Sequence, residues 1–153
     1  IEGAGTYQTA FTADGRIVVG EGLGARVALH VFAPDGTAQA DFTLEQTSAG
    51  LGVGPEVAPG HVAVHSGGLT DDYETVVVDL SEGRVTESLP DLRPRRAYWM
   101  LDSPIVGPGD GVPRVHFLFR AKDGAVVRRD FATGEERVVA GPGAPVGERL
   151  RLP

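Results

Sequence analysis

Asp79-Leu80-Ser81-Glu82-Gly83-Arg84-Val85 and Asp130-Phe131-Ala132-Thr133-Gly134-Glu135-Glu136-Arg137 decide how this chain reads. Each runs from an acid through a large apolar residue and two spacers to a glycine. Each follows a β-branched stretch, Glu74–Val78 or Val126–Val127, and precedes a mixed polar and apolar one. A glycine between two such stretches marks a hairpin, because the turn needs a residue at positive φ. Val31-Phe32-Ala33-Pro34-Asp35-Gly36 is a looser third copy, in which Val31 stands for the acid and the turn gains one residue.

An earlier glycine keeps step with these three. Asp14-Gly15-Arg16-Ile17-Val18-Val19 matches Pro59-Gly60-His61-Val62-Ala63-Val64 and, less closely, Gly111 through Phe117. Gly15, Gly60 and Gly111 are 45 and 51 residues apart, and Gly36, Gly83 and Gly134 are 47 and 51 apart. Two markers moving together predict a repeat rather than two coincidences. A strand precedes each first marker: Tyr7–Phe11, roughly Gly52–Val57, and Ala97–Leu101. The expected unit is a four-strand antiparallel meander, in units of about 1–47, 48–91 and 92–141. Residues 142–153 form a tail or open a further unit. No dozen-residue window holds a helical apolar period free of Gly or Pro, so the whole chain is expected to be a single all-β domain.

A repeated meander of this length resembles the blade of bacterial WD40-like, quinoprotein-like or TolB-like β-propellers. The resemblance rests on the Asp79–Val85 and Asp130–Arg137 runs. It implies an architecture and no activity, because function resides in sites rather than folds. Three blades do not close a ring of the usual four to eight. The resemblance therefore implies a partial or assembled propeller, completed by self-association or by a partner chain. A β-sandwich or barrel of about ten to twelve strands is the competing architecture.

Composition narrows the function classes. The chain has 153 residues, 41% of them apolar, which is enough for one packed core. Its 22 Gly and 11 Pro are dispersed, as many tight turns require. Without cysteine there are no disulfides, thiolate nucleophiles or Cys-based metal sites. A net charge of −7 argues against nucleic-acid binding, which depends on neutralising phosphates. No apolar run is long enough for a membrane helix, and no secretory leader is expected. The opening Ile1 suggests trimming, proteolytic processing or excision from a longer chain. Thirteen Arg against one Lys, with no Asn, read as the coding bias of a GC-rich bacterial genome.

In a propeller, ligands meet loops at one end of the channel. Here those loops are 46–54, 90–97 and 141–147, with 22–24, 67–72 and 121–124. Arg93, Arg95 and Arg96, followed by Tyr98 and Trp99, form the densest polar-aromatic cluster. Guanidiniums beside aromatics can clamp a carboxylate or phosphate. The alternative is a solvated loop with the two aromatics packed between blades. Asp71 and Asp72 after Gly67-Gly68 could hold calcium, although the alternating ligands of a calcium loop are missing. No other cofactor is indicated. His61 and His65 share one strand face about 13 Å apart, too far for one metal. His30 and His116 fit ordinary strand positions. Ser66 and Ser103 sit in no nucleophile elbow. Gly20–Gly24 lacks the following helix that a phosphate loop needs.

The leading expectation is a non-catalytic binding or assembly module. The rivals are a subunit or fragment of a propeller hydrolase or lyase with a channel metal, and a purely structural fragment of a longer chain.

Overall fold

The computed structural model describes residues 7–23, 26–45, 51–66, 74–90, 92–93, 115–120 and 123–141. Among them there is no helix. Strands β1 (Tyr7–Phe11), β2 (Ile17–Gly22), β3 (Arg26–Phe32) and β4 (Ala38–Glu45) form sheet 1. Strands β5 (Leu51–Ala58), β6 (His61–Ser66), β7 (Glu74–Asp79) and β8 (Arg84–Leu89) form sheet 2. The two-residue β9 (Leu92–Arg93) edges sheet 3, which continues through β10 (Val115–Arg120), β11 (Val126–Asp130) and β12 (Glu136–Ala140). Every pairing is antiparallel and follows chain order, and no sheet closes on itself. Each is thus an open meander, and no barrel forms among the described residues.

Turn chemistry explains the strand ends. Gly15, Gly36, Gly60, Gly83 and Gly134 all have positive φ, between 64° and 85°. That region costs any residue with a Cβ about 1–2 kcal/mol. In the β7–β8 turn Asp79 Oδ1 accepts the Ser81 N–H at 2.7 Å, and Gly83 N–H donates to the Asp79 carbonyl at 2.8 Å. The β11–β12 turn repeats this: Asp130 Oδ1 accepts from Ala132 at 2.9 Å, and Gly134 donates to the Asp130 carbonyl at 2.8 Å. Such Asx bonds satisfy the backbone where the ladder stops.

The first unit differs from its sequence expectation. Gly36 donates to the carbonyl of Ala33, and Ala33 N–H donates to Thr37. Asp130 plays both parts in the third unit, its N–H donating to Glu135. Ala33, not Val31, therefore stands in the acid's place, and the turn is one residue shorter rather than longer. Asp35 takes over the Asx bond by accepting the Thr37 N–H at 2.9 Å.

The expected first strand Ala97–Leu101 lies outside the described residues. The strand on that edge is β9, with Arg93 paired to Phe119 and Leu92 to Arg120. Arg93 therefore belongs to a strand and not to the loop expected over 90–97. Pro90 and Pro94 bracket it; neither has an N–H to donate to a ladder.

The three sheets stack face on face. Strand alternation gives each sheet two faces, and sheet 2 buries both. Val62, Val64, Val76, Val78 and Leu80 join Ala10, Val18, Leu29, Val31 and Leu44 of sheet 1 in one buried cluster. On the opposite face, Ala63 and Val77 pack with Val57 against Phe131, and Leu89 packs with Leu118 and Val127 of sheet 3. Each fully buried Val or Leu contributes about 1.5–3 kcal/mol relative to exposure. The contact between sheets 1 and 2 is densest along β1 and β5.

Equivalent residues show that the stacking has one direction. We call a sheet's leading face the one carrying the residue just before the turn position Ala33, Asp79 or Asp130. Those residues are Phe32, Val78 and Arg129. Val78 packs towards sheet 1, and Arg129 reaches Glu87 of sheet 2. One position earlier lie Val31 and Val77 on the trailing faces, turned to sheets 2 and 3 respectively. Each trailing face thus meets the next sheet's leading face.

Candidate functional site

Head-to-tail stacking leaves two unlike faces free among the described residues: the leading face of sheet 1 and the trailing face of sheet 3. On sheet 1 the alternating positions place Tyr7, Thr9 and Phe11 of β1 beside Ile17, Val19 and Glu21 of β2. Ala28, His30 and Phe32 of β3 follow, then Asp41 and Thr43 of β4. Phe11 is 68% exposed and Tyr7 43%, whereas Val62, Val64, Val76 and Val78 on the same face of sheet 2 are buried.

A polar band crosses this face through all four strands. Tyr7 donates its hydroxyl to Glu21 Oε1 at 2.8 Å, which pushes the Tyr7 pKa up. Glu21 Oε2 lies 3.5 Å from His30 Nε2, and Asp41 Oδ1 lies 2.6 Å from His30 Nδ1. The two carboxylates sit on opposite ring nitrogens, so this trio cannot converge on a single ion. Among the described residues no group of three His, Asp or Glu side chains is placed to hold a metal. Sequence reasoning missed the band, yet part of it was countable. His30 and Asp41 lie six and five residues from Gly36, which places them opposite one another in that hairpin.

The trailing face of sheet 3 is basic. Arg128 and Arg137 are register partners on β11 and β12. Arg137 is exposed and Arg128 half-buried. Phe117 pairs with Arg128 on the other side, and Phe119 with Val126. Arg93, the one described member of the expected arginine cluster, occupies the register position beside Phe119. Asp130 shares the face, but its carboxylate is engaged by the Ala132 and Thr133 amides.

The remaining sequence candidates fall elsewhere. Arg95, Arg96, Tyr98 and Trp99 lie outside the described residues, as do Asp71 and Asp72. His61 Nδ1 is 2.9 Å from the Pro59 carbonyl, and its Nε2 is 3.7 Å from Asp79. His65 packs over Gly52, where any Cβ would overlap its ring. The two histidines therefore have separate surroundings.

The chain matches no family model, no curated protein and no solved structure.

Two ionic features lie between sheets rather than on the free faces. Glu56, only 4% exposed, accepts the Gly60 N–H at 2.7 Å and the Ala13 N–H at 2.6 Å. It thereby ties the first turn of sheet 1 to that of sheet 2. Register irregularities on both sides of Glu56 bring it opposite Val62 on the leading face. A bulge re-aims a side chain in this way. Arg129, 6% exposed, lies over the Phe131 ring at 5.3 Å and binds Glu87 of sheet 2 and Glu136 of its own sheet. At the same positions in the first junction stand Val78 and Ala40, both in the apolar cluster.

Proposed function

We propose that this chain is a propeller-type binding or assembly module, its three sheets acting as blades. One observation carries the reading: equivalent faces stack in one direction, leaving a leading face and a trailing face uncovered among the described residues. A propeller is built by that operation repeated around an axis. The dense contact along β1 and β5 favours first strands gathered on the inside. Sheet 1 exposes Tyr7 and Phe11 on its free face, and such a face calls for cover. Arg95, Arg96, Tyr98 and Trp99 remain its proposed ligand-facing residues, on sequence grounds.

The mass in solution tests this, measured by light scattering over a wide concentration range. A defined species of more than one chain is expected. A cooperatively folded monomer at every concentration would end the self-assembling form of the proposal.

A further inference from the structure

Charge on the two free faces names what covers them. Both inner junctions follow one rule, trailing face on leading face, and each has its own chemistry. The first is apolar at the corresponding positions, Ala40 and Val78, and its buried Glu56 is taken up by the turn amides of Ala13 and Gly60. The second sets an acid on the trailing face, Glu87, against a base on the leading face, Arg129. The outer faces reverse that sign. Sheet 3 offers Arg128 and Arg137 on its trailing face; of the acids at the turn end of that face, Asp130 is taken up by turn amides and Glu135 lies opposite it in the turn. Arg137 pairs with Arg128 as Glu87 pairs with Val77, so Arg137 takes the junction position of Glu87. Sheet 1 offers Glu21 and Asp41 on its leading face around His30, with Arg26 set opposite Glu45 at the far end. Tyr7 and Phe11 supply exposed aromatic area beside the acids.

We propose that the partner of each free face is a second copy of this chain: the Arg128/Arg137 face of sheet 3 docks on the Glu21/Asp41 face of sheet 1 in the neighbouring copy. The inference rests on the assembly reading above and adds which faces meet and why the order is fixed. Docking sheet 3's basic face on a leading face like its own would set Arg128 and Arg137 against Arg129. Apposition to Glu21 and Asp41 sets opposite signs together, and such complementarity selects partners. A head-to-tail contact of this kind closes into a ring if the rotation allows. Two copies give six sheets, within the range of propellers.

The test uses the whole chain and two charge-reversed variants, Asp41→Arg and the double variant Arg128→Glu/Arg137→Glu. Circular dichroism and melting check that both fold. The wild type is expected at twice the 16.0 kDa chain mass. Each variant alone places like charges across both contacts and is expected at the mass of one chain. Mixed in equal amounts, they pair Arg with Asp in one contact and Glu with Arg in the other, and the doubled mass returns. A monomeric wild type overturns both this inference and the self-assembly reading. A dimeric wild type with variants that stay dimeric, or a mixture that stays monomeric, overturns this inference alone. Loss of the dimer in Asp41→Arg only would instead show sheet 1 meeting its own copy, and the head-to-tail contact would be wrong.

Discussion

Gly83 and Gly134 occupy equivalent turns, yet a methyl group should cost different amounts at the two. Both have positive φ, which alone costs about 1–2 kcal/mol for an L-residue. A Cβ at Gly134 meets nothing within 4 Å. At Gly83 it would overlap the Phe42 ring of β4, which packs down from sheet 1. Overpacking adds about 1–3 kcal/mol. Gly83→Ala is therefore expected to lower the urea midpoint clearly more than Gly134→Ala. Equal shifts would mean that Phe42 does not rest on that turn. Both turns could be read from residues alone, since Asp and Gly at fixed spacing is a local signal. Glu56 could not. Its partner Ala13 is 43 residues away, and its aim depends on irregular pairing around Gly54-Pro55.

At the scale of elements, three acids hold turns together and bring a pH dependence with them. Hydrogen bonds from Ser81 hold the Asp79 carboxyl below its usual range. Arg16 does so for Asp14, and the Thr37 amide for Asp35. A lowered folded pKa means that stability is fully present above the unfolded value, about 3.9, and is lost as pH falls through the folded one. The urea midpoint should show no fall attributable to these acids from neutral pH down to about pH 5 and drop below about pH 4. In Asp79→Ala, with one such acid gone, the acid-side drop should be shallower. An unchanged drop would remove Asp79 from the account. Strands themselves were legible where β-branched residues run between turn glycines, as in β2, β3, β6 and β7. β9 was not, because a two-residue strand within the three residues between Pro90 and Pro94 carries no period. The Val31 alignment failed for a related reason: apolar neighbours look alike, and only hydrogen bonding shows that Ala33 fills the acid's place.

The whole molecule depends on how its sheets recognise one another. Glu87→Ala leaves the buried Arg129 with Glu136 alone, and the Arg129 Nε already has no hydrogen-bond partner among the described residues. Breaking a buried pair costs about 3–5 kcal/mol, while replacing both members with apolar groups is often neutral. Because the Glu87 side chain is 37% exposed, solvent screening takes the cost of Glu87→Ala below that range, to about 1–2 kcal/mol. Adding Arg129→Val, which copies the Ala40 and Val78 junction, should return most of it. Chemical denaturation of the single and double variants reads this directly, and an additive loss would refute it. The outer rims of the stack matter too. In β4, β8 and β12 one residue is left out of the pairing: Gln39, Thr86 and Val139. These strands form the last edge of their sheets. A kinked edge is a poor template for a stray strand. Amyloid-like growth, which would add backbone to backbone without limit, is discouraged along all three rims.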